Sequence, residues 1–212
     1  MLEHHLNHCW LLDLDRTLAS VEESMTVVES VCVRLDLDYT KIVKAKKLAE
    51  NEGISFVVTD VVKLHWPEQY HNFCSSMQAI QHPGAVYTDA QKFIAKLDEK
   101  KLPFVIITYG DPVWQTMKLE LGGLIGRAHT ICDIPEKSEL LASWHIGDGF
   151  KIPTSQGIFN AESVTLVDDK AVAFLGLPNK VTGICLDRFN KYTQSELTVR
   201  RVSSFDDVTE EL

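Results

Sequence analysis

The sequence predicts an α/β fold, in which a parallel sheet is covered by helices and a helical insertion follows the first strand. Several apolar segments are continuous rather than alternating, which is typical of parallel strands buried on both faces. They alternate with amphipathic segments of helical length, the pattern of an α/β core. The chain of 212 residues suits one domain with an insertion, or two small domains.

The first half of the chain is predominantly helical after one short strand. The predicted elements are a strand at 9–14, a helix at 20–36 with Ser20 as its N-cap, and a helical stretch at 39–81 with breaks at 51–55 and at Trp66–Pro67. The sequence HPGA at 82–85 marks a turn. We therefore expect residues 19–81 to form a helical cap, and residues 1–18 and 82–212 to form a Rossmann-like core.

The second half alternates between strands and helices. The predicted elements are a helix at 87–101, a strand at 102–108, a helix at 112–121, a short strand at 128–132, a helix at 136–144, strands at 163–170 and 180–187, and a last strand and acidic helix after residue 198. Three strands end in Asp or Thr. In open α/β sheets, ligands bind at the carboxyl ends of the strands, so the function is expected there.

Composition excludes several classes of protein. The formal net charge of −9 disfavours nucleic acid or an anionic membrane as a partner. No apolar run reaches the roughly 18–20 residues of a membrane helix, and the N-terminus lacks the features of a secretory signal. Five scattered cysteines without CxxC spacing argue against a disulfide framework and against structural zinc, and predict a cytoplasmic protein. The histidine-rich start, with His4, His5 and His8, is expected to be a solvated tail.

The first strand runs directly into paired negative charge. Asp13 and Asp15 follow the apolar segment CWLL, with Thr17 two residues further on. Side chains alternate along an extended segment, so the two carboxylates are expected to project to the same side. Such a pair repels itself unless a cation lies between its members, and Mg²⁺ is a hard ion that prefers carboxylate, carbonyl and phosphate oxygens.

Three further pieces follow in order along the chain. Thr108 closes the strand FVII, Lys137 begins a helix, and Asp168 and Asp169 follow the strand VTLV. Together with the first motif, this order resembles the haloacid dehalogenase superfamily, whose motifs are DxDxT, a Ser or Thr after a strand, a Lys, and a late acidic pair. The resemblance covers nearly the whole chain, and the insertion lies where one cap type of that superfamily occurs.

The resemblance implies a Mg²⁺-dependent phosphatase acting on a small phosphorylated substrate. It makes Asp13 the nucleophile that forms an aspartyl-phosphate, and Asp15 the general acid and base. It implies phosphate contacts from Thr17, Thr108, Tyr109, Gly110 and Lys137, and a metal site formed by Asp13, Asp15, Asp168 and Asp169. Arg16 departs from the family pattern, in which Gly is the commoner residue at that position.

Several alternatives remain open. Lys151 is a rival to Lys137 as the phosphate-site lysine. A phosphomutase would keep the same motifs, and a non-catalytic binding module would be expected to have lost at least one. By the resemblance, members that cleave carbon–halogen bonds lack the second aspartate, so Asp15 argues against a dehalogenase. A phosphorylation receiver has its acidic pair first in the chain and lacks a helical insertion, which excludes it here.

Overall fold

The computed structural model describes residues 3–209 and Leu212. Contacts divide the chain into two compact units. The sheet unit comprises the described residues of Met1–Ser20, Val86–Tyr109 and Arg127–Leu212. The helical unit comprises Val21–Ala85 and Gly110–Gly126. The predicted α/β class is confirmed.

The described residues of the sheet unit contain one sheet of eight strands. These are β1 (Glu3–Asp13), β2 (Phe104–Tyr109), β3 (His129–Cys132), β4 (His145–Ile146), β5 (Gly149–Thr154), β6 (Gly157–Asp168), β7 (Val181–Leu186) and β8 (Arg200–Val202). Six strands, in the order β3-β2-β1-β6-β7-β8, pair in parallel. Because β1 and β6 lie centrally, their carboxyl ends meet in the middle of one edge of the sheet.

The beginning of the chain differs from the expectation. β1 starts at Glu3 rather than at residue 9, and its first residues pair in parallel with β6 from Ile158 to Ala161. The prediction of a solvated histidine-rich tail was therefore wrong. His4 and His5 are exposed, yet they belong to the sheet. Backbone hydrogen bonds to the long strand β6 make this segment a strand, although its polar side chains do not predict one.

The sheet also contains an antiparallel hairpin that was not predicted from the sequence. β4 and β5 pair antiparallel with each other, and β5 pairs antiparallel with the first half of β6. The second half of β6 pairs instead with β7. A single strand thus has two different neighbours on one side, so the sheet branches along β6.

Eight α-helices lie within the described residues. They are α1 (Val21–Arg34), α2 (Tyr39–Glu52), α3 (Val58–His65), α4 (Tyr70–Gln78), α5 (Thr88–Glu99), α6 (Pro112–Leu121), α7 (Lys137–Trp144) and α8 (Asp206–Thr209). The breaks between α2, α3 and α4 fall where they were predicted. Gly53 ends α2 in the left-handed conformation, with φ of 68°. None of these helices is long and apolar enough to cross a membrane.

The helical unit has its own hydrophobic core. It is built mainly from α1, α3 and α4, with buried side chains such as Val28, Val62 and Phe73. Trp114, Met117 and Leu121 on α6 belong to the same core. The expected cap ended at residue 81 and left α6 with the sheet, whereas contacts group α6 with α1–α4. The reason is that the apolar face of α6 packs in this helical core.

Candidate active site

Three strands carry polar side chains to the same edge of the sheet. Asp13 ends β1, Thr108 lies one residue before the end of β2, and Asp168 ends β6. In the parallel register, Asp13 lies opposite Ile107 on one side, and Leu12 lies opposite Val167 on the other. Asp13 and Asp168 are therefore at the same level of neighbouring strands, and both side chains are buried.

Lys137 is the cation that lies between these two carboxylates. It is the first residue of α7 and is only 3% exposed. Its Nζ donates to Oδ1 of Asp13 and to Oδ2 of Asp168. Lys151, the alternative left open by the sequence, lies on β5 with an exposed side chain. The geometry therefore brings Lys137 to the predicted nucleophile.

The electrostatics of this group follow from burial and from like charge. Burial raises the pKa of Asp13, Lys137 opposes it, and the carboxylates of Asp168 and Asp15 add to the rise, so that the pKa is about 6. Burial lowers the pKa of Lys137, but Asp13 and Asp168 outweigh that effect and hold the pKa above its usual range. Lys137 is therefore a permanent cation at neutral pH.

Three carboxylates are grouped closely enough to bind one metal ion. Oxygen atoms of Asp13, Asp168 and Asp169 lie within 4.8 Å of one another, and all three side chains are buried. Hard divalent cations such as Mg²⁺ prefer this all-oxygen donor set, so the residues present fit the metal that the resemblance implies. The carboxylate of Asp15, expected as a fourth ligand, is outside this group.

The turn after β1 explains the position of Asp15. The extended strand ends at Asp13, and the amides of Leu18 and Ala19 both donate to the carbonyl of Leu14. Asp15 therefore belongs to a tight turn rather than to an extended segment, so strand alternation does not apply to it. It is half-buried, and its charge still raises the pKa of Asp13.

Arg16 and Thr17 complete this turn. Arg16 has a φ of 64°, in the left-handed region that glycine adopts most readily, and its amide donates to the carbonyl of Ala19 at 2.7 Å. Thr17 is fully buried, and its hydroxyl has no hydrogen-bond partner among the described residues. The predicted phosphate contact of Thr17 stays a prediction.

The segment after β2 carries the other predicted phosphate contacts. Thr108 is buried, and its carbonyl accepts a hydrogen bond from Sγ of Cys132 at 3.2 Å. Tyr109 packs against the core of the sheet unit. Gly110 has a φ of 138°, and a Cβ there would lie 2.7 Å from Nε2 of Gln115. The positive φ therefore favours glycine at this position, whereas the end of the Gln115 side chain could shift to accept a Cβ.

The loop after β7 brings two cations that sequence reasoning missed. Nζ of Lys191 donates to Oδ2 of Asp169 at 2.9 Å, and Arg188 donates to the carbonyl of Thr17. Asp187 shapes this loop by accepting the amides of Lys191 and Tyr192. These residues could have been predicted from the sequence, because the loop follows the carboxyl end of a parallel strand, where ligands bind in open α/β sheets.

Comparisons with known proteins establish the fold. No protein-family model and no curated protein matches the sequence. Solved structures do match over nearly the full length. A protein from Burkholderia xenovorans named as a haloacid dehalogenase-like hydrolase superposes with a TM-score of 0.64 at 16% identity, covering 97% of this chain and 96% of that one.

Two further matches show the range of proteins with this architecture. YfnB from Bacillus subtilis, named as a HAD-hydrolase and bound to magnesium, has a TM-score of 0.59 at 11% identity, with 98% and 99% of the two chains covered. A HAD phosphatase from Thermococcus onnurineus has a TM-score of 0.52 at 13% identity, with 96% and 97% covered. Dehalogenases are also among the matches. This chain therefore has the fold of the haloacid dehalogenase-like hydrolases.

Proposed function

We propose that the protein is a Mg²⁺-dependent phosphomonoester hydrolase that uses Asp13 as a nucleophile. The observation that carries the proposal is the buried carboxylate of Asp13, paired with Lys137 and grouped with Asp168 and Asp169 at the carboxyl edge of the sheet. Burying several charges together costs free energy even when they are paired, and clusters of this kind concentrate at functional sites.

Asp13, Asp168 and Asp169 are the side chains that would hold the metal. Bound there, Mg²⁺ would supply positive charge next to an anionic phosphate group. Lys137 contributes a second, permanent positive charge to the same place. Lys191 pairs with Asp169 and helps to orient that carboxylate.

The chain's own residues account for the two half-reactions. A carboxylate oxygen of Asp13 attacks phosphorus, the bond from phosphorus to the leaving oxygen breaks, and Asp15 gives its proton to that oxygen. Asp15 then takes a proton from water as the water oxygen attacks phosphorus, and the bond from phosphorus to the Asp13 oxygen breaks. This step releases inorganic phosphate and restores Asp13. The hydroxyl of Thr108 and the amides that follow it donate to the phosphoryl oxygens.

Asp15 favours phosphate over halide chemistry. A leaving alkoxide needs a proton and a leaving halide does not, so a general acid beside the nucleophile is required only in the first case. A phosphomutase would use the same residues, and it differs in passing the phosphoryl group to a sugar instead of to water. Release of inorganic phosphate therefore separates the two.

The test is hydrolysis of 4-nitrophenyl phosphate by the purified protein with Mg²⁺, compared with Asp13→Asn. We expect metal-dependent release of phosphate that falls by at least about 10³-fold in the variant, because a carboxamide is a poor nucleophile. Asp98→Asn is the matched control, since Asp98 is also ion-paired, with Arg127 at the surface. It should retain full activity.

Three outcomes would contradict the proposal. Turnover that survives in Asp13→Asn would remove Asp13 as the nucleophile, and turnover that is undiminished in EDTA would remove the metal. Release of chloride from a 2-chloro acid, without hydrolysis of a panel of phosphomonoesters, would assign the site to dehalogenation instead. Circular dichroism of Asp13→Asn checks that a loss of activity does not come from a loss of fold.

A further inference from the structure

Arg188 connects the loop after β7 to the turn that follows β1. Its Nη2 donates to the carbonyl of Thr17 at 2.9 Å, and its Nε approaches the same oxygen at 3.3 Å. The side chain of Arg188 is largely buried, with 11% exposure. A guanidinium that donates from two of its nitrogens to one backbone oxygen restricts the movement of that oxygen.

The guanidinium is itself held in place by the sheet unit. Nη1 of Arg188 donates to Oδ2 of Asp89 at 2.8 Å, and the guanidinium carbon lies 4.1 Å from the centroid of the Tyr87 ring. Asp89 in turn accepts the amides of Ala90 and Phe205. Arg188 is therefore a fixed anchor rather than a mobile surface side chain.

The turn that Arg188 holds needs an external anchor. Thr17 follows Arg16, whose left-handed conformation is not the one an arginine prefers, and conformations of this kind persist where the surroundings enforce them. The turn also carries Asp15, two residues before the anchored carbonyl. Movement of the Thr17 carbonyl would carry Asp15 with it, because the amides of Leu18 and Ala19 both close the turn onto Leu14.

We propose that Arg188 is a positioning residue, which holds the turn of residues 14–19 so that Asp15 is aligned to protonate the leaving group. This proposal rests on the proposed function, because it takes Asp15 as the general acid. Arg188 does not itself touch the reacting atoms. Its contribution is to keep Asp15 within reach of the leaving oxygen, where a displacement of about 1 Å can cost about 10²-fold in rate.

The first measurement compares kcat/KM for phenyl phosphate and 4-nitrophenyl phosphate in Arg188→Gln. Phenolate is the poorer leaving group and needs the proton more. We expect kcat/KM to fall by at least about tenfold for phenyl phosphate and by about threefold or less for the nitro compound. Arg188→Lys keeps one cationic donor and should recover part of the loss. Equal losses for both substrates would overturn the proposal, since a purely structural defect does not depend on the leaving group.

The second measurement is amide hydrogen exchange, which does not depend on any activity. We expect faster exchange at Arg16, Leu18 and Ala19 in Arg188→Gln, because their amides form the hydrogen bonds within the turn. Unchanged exchange there would overturn the proposal. If the unaltered protein hydrolyses neither substrate, the proposed function fails, and exchange alone still decides whether Arg188 holds the turn.

Arg127→Gln is the matched control for both measurements. Arg127 also donates to an aspartate, Asp98, and also lies over an aromatic ring, that of Phe104 at 5.6 Å. Its pairing is at the surface, away from the turn. It should change neither the leaving-group dependence nor the exchange of the turn, and a matching change in this control would remove the specific role of Arg188.

Discussion

The buried side chains at the strand ends show how a few charges can be held together in a protein interior. Asp13 and Asp168 would repel each other in a region with little water, and Lys137 compensates both. The lysine is the first residue of α7, and its side chain is buried there beside the two carboxylates. Substitution of any one of these three residues therefore changes the electrostatic environment of the other two.

Substitution of each candidate lysine, Lys137 and Lys151, tests which of them serves the phosphate site. We expect Lys137→Met to lower kcat at least about 10²-fold and to destabilise the metal-free protein by about 3–5 kcal/mol, because Asp13 and Asp168 are left as unpaired buried carboxylates. Lys151→Met should leave turnover unchanged and stability within about 0.5 kcal/mol, since its side chain is exposed. Steady-state kinetics and chemical denaturation test both. The reverse pattern would make Lys151 the phosphate-site lysine.

Arg16 offers a second test on a single residue. A left-handed conformation costs a non-glycine residue about 1–2 kcal/mol, and the greater freedom of glycine in the unfolded chain offsets roughly half of that. We expect Arg16→Gly to stabilise the protein by about 0.5–1 kcal/mol in thermal unfolding.

Lys101 is the matched position for this test, with a φ of 54° just beyond α5. Lys101→Gly should stabilise the protein to a similar extent without changing turnover. If neither substitution raises the melting temperature, the left-handed conformation at these two positions costs little free energy.

At the scale of elements, the acidic pair depends on how β6, β7 and the following turn pack. Asp168 and Asp169 lead into a short 3-10 helix, Ala171–Phe174, whose Phe174 is buried. Gly183 on β7 lies directly against this helix. A Cβ on Gly183 would lie 2.8 Å from Cδ1 of Phe174 and 2.5 Å from Cγ1 of Val199. The absence of a side chain at Gly183 is what lets this helix pack against the sheet.

We therefore expect Gly183→Ala to destabilise the protein by about 1–3 kcal/mol, because neighbouring side chains must shift to accept one methyl group. Gly126→Ala is the control, since no atom of the described residues lies within 4 Å of a Cβ added there. Denaturant unfolding of both variants checks the difference. Equal stabilities would mean that Phe174 and Val199 move aside without cost.

Elements with a strong local pattern were predicted well from the sequence. The central part of β1, most of β2 and the breaks between α2, α3 and α4 followed from continuous apolar segments and from helix-ending residues. The hairpin of β4 and β5 and the first residues of β1 and β6 did not. The first residues of β1 include one apolar residue, Leu6, and β5 contains both Gly149 and Pro153, so neither has the apolar run of a buried strand. They become strands through pairing with β6.

For the whole molecule, acid stability depends on buried carboxylates that are ionised in the folded state. Burial acts to raise the pKa of Asp187, but the amides of Lys191 and Tyr192 and the guanidinium of Arg201 outweigh it, so the pKa is lowered. The pKa of Asp89 is also lowered, where Arg188 and two amides outweigh burial. A carboxyl with a lowered pKa stabilises the fold above its unfolded pKa of about 4, and that contribution disappears as pH falls through the folded pKa.

We expect Asp187→Asn to lower the free energy of unfolding by about 2–4 kcal/mol at pH 7, since it removes charge-assisted hydrogen bonds. The difference from the unaltered protein should shrink as the pH falls below about 4, where the native carboxyl is protonated too. Urea unfolding between pH 7 and pH 3 measures this. A difference that is constant with pH would show that packing, and not the charge of Asp187, is responsible. Asp206→Asn, an exposed change on α8, should have little effect throughout.

The sequence by itself determined the α/β class, the strand ends that carry Asp13, Thr108 and Asp168, and the kind of chemistry that such residues support. These are local properties, because hydrophobic pattern and backbone preference act over a few neighbouring residues. Only the tertiary structure decided that Lys137 pairs with Asp13, that Asp15 lies outside the group of three carboxylates, and that Arg188 reaches Thr17. Thr17 and Arg188 are 171 residues apart in the chain. Contacts over such separations depend on strand order and on the path of each loop, which no local pattern specifies.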